Sequence, residues 1–282
     1  MKEQEFENGE ELLKRKQQER LIRKGKKKQS FLRSLARFFT CIALVYFIYF
    51  CINQQGWYLT ENAFLDSNPA IIQIVNNKIT RTPKIQNTIK KVEVPKTPIF
   101  LANLDNLKSE LLSLPPVEDV YIRRYAFPAR ILVIVQESVP ILSISPDKDI
   151  NPIAAFTKDG KLINGPDYMP LPPEFKTILV LSYGNKGDDY AKWNIDKIKE
   201  IEKIHKYVET FSREKVIYID LRKPDDMFVK IDSVLIRLGK IDSGLYDRIK
   251  RIPSILPKLK EVNGKVKYID LGWEKVNYLK ME

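Results

Sequence analysis

The sequence predicts an α+β protein hung from one membrane-spanning helix, with a small β-α-α-β-β unit followed by a larger α+β unit whose sheet is curved and mostly antiparallel. Three observations predict it. Residues 38–52 read FFTCIALVYFIYFCI without a charge or a proline. Residues 71–137 carry strand, helix, helix, strand and strand patterns in that order, and residues 177–278 alternate β-branched runs with amphipathic helices.

The apolar run comes first. Extended over residues 34–57, it reaches the roughly 20 residues that cross ~30 Å of hydrocarbon. Arg33 and Arg37 can snorkel to one surface, and Trp57 and Tyr58 suit the opposite interface. A buried soluble helix would explain the run less well, because it is flanked by charge on one side and interfacial aromatics on the other. A cleaved signal peptide would need a small-x-small site, whereas Asn53-Gln54-Gln55-Gly56-Trp57 follows. The expectation is an uncleaved anchor.

Charge sets its orientation. Residues 1–37 hold 12 basic and 6 acidic residues, so +6 of the chain's net +12 lies beside the span. That places a basic tail, residues 1–33, in the cytoplasm and everything after residue 57 outside it, with Lys26, Lys27, Lys28, Arg33 and Arg37 facing anionic headgroups. Nucleic acid explains such a distribution poorly, since the other +6 is spread over a much longer stretch. Both cysteines, Cys41 and Cys51, fall inside the span. The region beyond it therefore has no thiol for a disulfide or a soft metal, and no cofactor is expected.

Beyond a short polar connection at 62–68, Ile71-Ile72-Gln73-Ile74-Val75 reads as a strand bounded by Pro69 and Asn76-Asn77. Residues 81–89 can form a short helix with Pro83 near its start. Residues 103–112 form a second, with Leu104, Leu107, Leu111 and Leu112 at helical spacing, stopped by Leu114-Pro115-Pro116. Strands at 117–125 and 129–137 follow, with Pro128 in their turn. Ile131-Leu132-Val133-Ile134-Val135 is apolar on both faces, which predicts a central strand covered on both sides.

Within that order, Leu114-Pro115-Pro116 precedes an apolar-basic strand with Arg123 and Arg124, Phe127-Pro128 makes an aromatic-Pro turn, and the next strand ends in Glu137-Ser138-Val139-Pro140. This spacing beside an N-terminal anchor resembles the FtsQ-type POTRA signature of the FtsQ/DivIB cell-division family. The resemblance implies a POTRA domain at 69–140 and a second, β domain at 141–282. Arg123, Arg124, Phe127, Pro128, Glu137 and Pro140 then identify the fold, as solvated or locally paired side chains, more than they carry chemistry.

In the second unit, Lys158-Asp159-Gly160-Lys161 reads as a hairpin turn, 165–173 as an irregular crossing and 177–182 as a strand. Residues 193–211 form an amphipathic helix with Ile198, Ile201, Val208 and Phe211 on one face. His205, the only histidine, sits on its edge as a packing residue, since no His or Cys partner exists outside the span. Lys215-Val216-Ile217-Tyr218-Ile219-Asp220-Leu221 is echoed fifty residues on by Lys265-Val266-Lys267-Tyr268-Ile269-Asp270-Leu271. Between the echoes lie a hairpin turning at Asp232-Ser233 and a helix capped by Ser243, with Leu245, Ile249, Ile252, Leu256 and Leu259 inward and Pro253 dividing or kinking it.

The resemblance implies a non-catalytic scaffold of the division machinery at the septum. Its second domain would accept segments of bitopic coiled-coil partners of the FtsB/DivIC and FtsL type along its terminal strands, by pairing with unpaired N–H and C=O groups. Here that edge would be 265–278, with Tyr268, Trp273, Val276 and Tyr278 as anchors. Gly272 stands where the family pattern places an Arg. The rival classes are a membrane-anchored cell-wall enzyme and a chaperone-like POTRA protein of envelope assembly. No G-x-S-x-G, Walker loop, H-E-x-x-H or Cys-His pair occurs, the G-N-K-G of 184–187 lacks a phosphate cradle's flanks, and the acids at 188–189 and 225–226 read as solvated loop residues. Tandem POTRA repeats or a barrel, which the chaperone class needs, are also lacking.

Overall fold

The computed structural model describes residues 32–66, 68–184, 189–223, 225–259, 266–273 and 278–281. Helix α1 spans Leu32–Ile52 with a mean hydropathy of 2.1 and none of its most apolar window buried against protein. Its 21 residues are about 31 Å long, the thickness of a bilayer's hydrocarbon core. Hydrogen bonds run on from it, Asn53 N–H to Tyr49 O at 3.1 Å and Gln54 N–H to Cys51 O at 3.3 Å, into a 3-10 turn at Gln55–Trp57.

The connection read as polar folds back into the first core. It carries the helical turn α2 (Ala63–Asp66), and Leu59, Ala63 and Phe64 are buried with the strands that follow. Three apolar side chains within six residues outweigh the polar letters around them.

The first sheet has three strands, β1 (Ile72–Val75), β2 (Val117–Tyr125) and β3 (Arg130–Glu137), in the order β1-β3-β2. β1 runs parallel to β3 and β2 antiparallel to it. Helices α3 (Thr82–Ile89) and α4 (Asp105–Leu112) back the sheet. Pro83 falls in the first turn of α3, where a missing N–H costs nothing, and Ile85 and Ile89 point one turn apart into the core, as Leu107 and Leu111 do from α4. β3 is central as expected, but only Ile131, Val133 and Val135 are buried. Leu132 and Ile134 are half-covered, because both helices lie on the other face.

The second sheet is open and nine-stranded, in the order β12-β11-β10-β9-β8-β7-β4-β5-β6. Its strands are β4 (Pro140–Ser145), β5 (Ala154–Thr157), β6 (Leu162–Asn164), β7 (Ile178–Leu181), β8 (Val216–Asp220), β9 (Met227–Ile231), β10 (Leu235–Gly239), β11 (Val266–Asp270) and β12 (Tyr278–Met281). Five of its eight pairings are antiparallel; β4–β7, β7–β8 and β10–β11 are parallel. Two of the three parallel joints fall where helices intervene, and the third, β4–β7, is bridged by β5 and β6. α5 (Ile195–Ser212) links β7 to β8, and α6 (Leu245–Lys250) with α7 (Ile252–Leu259) links β10 to β11.

Asn194 caps α5 by accepting Lys197 N–H at 2.9 Å, and Ile198, Ile201, Ile204 and Val208 pack onto the sheet. Each such fully buried side chain is worth roughly 1.5–3 kcal/mol. The helix after residue 243 is divided at Arg251, which leaves Pro253 in the first turn of α7. Its cap is not Ser243. Asp242 accepts the N–H of Gly244 at 3.0 Å and pairs with Arg248 at 2.9 Å, making the turn one residue earlier. Leu256 and Leu259 are only partly buried, and Ile255, three residues after the buried Ile252, takes the inward position.

Candidate partner-binding edge

The echoed heptads occupy equivalent places. β8 and β11 each follow a helix and lie parallel to the strand before it. At their ends Asp220 accepts Arg222 N–H at 3.0 Å, Asp270 accepts Gly272 N–H at 2.9 Å, and the intervening Leu221 and Leu271 donate to Leu181 O and Arg237 O. Side-chain carboxylates thus finish both strands with the same turn.

Around this shared turn the two copies diverge. Arg222 closes on its own Asp220 in a two-pronged pair at 3.0 and 2.6 Å and reaches Asp147 at 3.2 Å. Position 272 is glycine, and its Cα would lie 3.3 Å from a Cβ built on Gly239, whose φ is +73°. The left-handed backbone of Gly239 favours glycine there, and a Cβ at 272 would itself meet Asp270 Oδ1 at 3.2 Å. The cation comes instead from neighbouring elements. Arg237 of β10 donates to Asp226 at 2.5 Å and to Asp270 at 2.7 Å, and Arg251 donates to the carbonyls of Leu271 at 2.7 Å and Trp273 at 2.9 Å. The hydrogen bonds that Arg237 donates to Asp226 and then to Asp270 push its pKa up. This network pins the end of β11 and the exit toward Trp273.

The sheet ends one strand later than expected. β11 is bonded on both sides, by β10 and β12, so the terminal strand is Tyr278–Met281 and not 265–278. Tyr268 is half-buried on the sheet face away from the helices, edge-on to Phe228 at 5.6 Å with Lys280 over its ring. Trp273 is 61% exposed beside the same edge. Tyr278 opens β12 opposite Asp270, but its side chain, with Lys265 and Val276, lies outside the described residues, as do Lys26, Lys27 and Lys28. Arg33 and Arg37 sit on the first turns of α1.

The signature residues sit in two places. Phe127, in the β2–β3 turn with Pro128, packs on Trp57 at 5.3 Å; Arg123 lies over the Tyr125 ring at 5.2 Å, and Arg124 reaches Phe100 O at 3.5 Å. Glu137 closes β3. Its carboxylate accepts three consecutive backbone N–H groups, of Lys78 at 2.6 Å, Ile79 at 2.7 Å and Thr80 at 2.7 Å. This clasp was not legible beforehand, because the partners lie 57 to 59 residues away. Pro140 begins β4, so Glu137 and Pro140 bracket the passage from one sheet to the other.

The clasped loop is itself a bridge. Ile79 is buried with Ala155, Ile163, Tyr168 and Met169, on the side of the second sheet away from its helices. Arg81 N–H bonds Asp167 O at 3.1 Å, its guanidinium bonds Met169 O at 3.0 Å, and Lys84 pairs with Asp167 at 2.9 Å. The irregular crossing of 165–176 therefore lies against the first unit.

Remaining acids and the histidine have structural partners. Asp226 belongs to Arg237, Asp225 lies 3.4 Å from Lys240, and Asp189 caps a 3-10 turn by accepting Ala191 N–H; Asp188 and the 185–187 part of the G-N-K-G turn lie outside the described residues. His205 lies 3.5 Å from Glu209, with burial lowering its pKa. Among the described residues no group of three His, Cys, Asp or Glu is placed to hold a metal ion.

Comparison with known families agrees with the first sheet. Residues 67–138 match the family model of the POTRA domain, FtsQ-type, from the approach to β1 to the residue after Glu137. A search of the curated proteins found no match. The match covers one domain, which is thus similar to FtsQ-type POTRA domains; the apolar helix α1 lies ahead of it and an open, mostly antiparallel sheet behind it.

Proposed function

We propose that the chain is a non-catalytic, bitopic scaffold of the bacterial divisome. It is built as a cytoplasmic tail at 1–33, a span at 34–57, a POTRA domain at 69–140 and a β domain at 141–282. Both domains lie outside the plasma membrane at the septum and dock bitopic coiled-coil proteins of the FtsB/DivIC and FtsL type. The observation that carries this reading is the open end of the nine-stranded sheet. Among the described residues β12 is its last strand and bonds β11 along one side, so the other side offers backbone N–H and C=O groups to an added strand.

The surroundings suit such a partner. Trp273 beside the edge and Tyr268 behind it supply aromatic anchors, and the Arg237–Asp270 and Arg251–Leu271 bonds hold the strand end rigid, which lowers the ordering cost of binding. The test is co-purification from membranes of small coiled-coil partners with the tagged full chain. Trp273→Ala with Tyr278→Ala is expected to abolish capture while thermal unfolding is unchanged. Undiminished capture by a folded variant would move the interface off this edge.

A further inference from the structure

We propose that the tip of the first domain is a membrane-contacting wedge: Phe100, Leu101 and Phe127 enter the headgroup layer beside the span, with Arg124 and Arg130 meeting lipid phosphates. The inference rests on the reading of α1 as the membrane anchor and goes beyond it, because a tethered domain need not touch the bilayer.

The geometry begins at the end of α1. Helical hydrogen bonds run on from Ile52 as far as Gln54, which is extended, and a 3-10 turn at Gln55–Trp57 follows at once, so the connection between span and domain is short. Five residues, one extended at about 3.3 Å and four at about 1.5–2 Å, put Trp57 about 11 Å at most beyond the helix end, against an interfacial zone of about 5–8 Å per side. Trp57 thus lies in that zone or at its outer margin, the depth tryptophan prefers.

The domain is fastened there by its backbone. Ile99 N–H bonds Trp57 O at 2.8 Å and Ala129 N–H bonds Gly56 O at 2.7 Å. The Trp57 ring lies 5.7 Å from Phe100 and 5.3 Å from Phe127, and a Cβ at Gly56 would fall 2.2 Å from the Phe127 ring. Two loops, one before α4 and one between β2 and β3, are therefore held at the depth of Trp57. They present what a soluble surface avoids, with Leu101 68% and Phe127 63% exposed.

Charge along the hairpin points the same way. Glu118, Asp119 and Glu137 lie at its far end, and Arg123, Arg124 and Arg130 at the tip. Arg130 stacks on Tyr125 at 4.6 Å, which leaves a cation and an aromatic ring side by side, as at a headgroup boundary. Asp119, near the base of β2, is six residues from Tyr125, about 20 Å higher at about 3.4 Å per residue, and serves as a control.

The test uses the full chain with Cys41→Ser and Cys51→Ser, one cysteine placed at Leu101, Phe127 or Asp119, bimane on that thiol, and nanodiscs of phosphatidylethanolamine and phosphatidylglycerol. Labels at 101 and 127 are expected to shift to the blue, to lose most of their emission to acyl-brominated lipid and to resist aqueous iodide. The label at 119 should do the reverse. Iodide access at 101 and 127 equal to that at 119, in discs that hold the chain, overturns the wedge and spares the anchor. Shielding from both quenchers would mean a protein contact and also overturns it. Failure of the chain to enter discs would defeat the anchor reading itself.

Discussion

Glu137 accepts the backbone N–H of Ile79 at 2.7 Å, and this bond ties the last residue of the first sheet to a side chain buried against the second. One carboxylate thus shapes a loop of its own domain and, through Ile79, the junction with the next. A glutamate at the end of a strand reads in sequence as a solvated charge; here its carboxylate instead accepts three N–H dipoles.

Replacing it should be felt at the junction. Glu137→Gln keeps the shape but loses the charge and turns one acceptor into a donor facing N–H groups, so a loss of about 1–3 kcal/mol is expected. Urea unfolding of the detergent-solubilised chain measures it. Hydrogen exchange should quicken at 78–80 and at 165–169 together, since Arg81 bonds Asp167 and Met169. Quickening at 78–80 alone would show that the loop does not carry the junction.

The pinned end of β11 gives a second expectation. Asp270→Ala leaves Arg237 with Asp226 alone and removes the acceptor of Gly272 N–H. A loss of about 1–3 kcal/mol is expected, with amide protection falling in β11 and β12 before the rest of the sheet. Asp225→Ala is the control: Asp225 is exposed and touches only Lys240, so its removal should change stability by less than about 0.5 kcal/mol.

His205 predicts a pH dependence. Burial lowers its folded pKa below the ordinary 6.5, with Glu209 and Glu202 opposing and Lys206 assisting the shift. The unfolded chain then binds the proton more readily than the fold does. The stability from the neutral imidazole is present above the unfolded pKa and is lost as pH falls through about 6.5 toward the lower folded value. His205→Gln should flatten the decline in unfolding midpoint between pH 7 and pH 5, and an equal slope in both proteins would contradict the assignment.

The parts of this fold that were legible in the sequence are those with a local cause. The 3.6-residue spacing of Ile198, Ile201 and Val208, the continuous apolar run that makes β3 a central strand and the Asp-Ser turn between β9 and β10 are each set within a few residues and appear where expected. β4 and β5 were not read as strands. Pro140-Ile-Leu-Ser-Ile-Ser carries serines at buried positions, and Ala154-Ala155 lacks the β-branched side chains that announce a strand.

What stayed hidden depends on distant neighbours. Ser143 is buried because Thr177 donates to it at 2.8 Å, 34 residues away. The repeat at 215–221 and 265–271 was visible, yet not its meaning, a carboxylate turn that ends a parallel strand. At the proposed edge Trp273 is exposed, but that 266–270 would be covered by another strand depended on four residues, Tyr278–Met281, too few to show a period.

The central claim is that both sheets stand outside the cytoplasm on a single helix, and protease access tests it most directly. With an epitope tag after residue 282, a protease added to intact spheroplasts should remove the tag while a cytoplasmic marker survives. A tag that persists until the membrane is permeabilised would place the sheets inside and contradict the account.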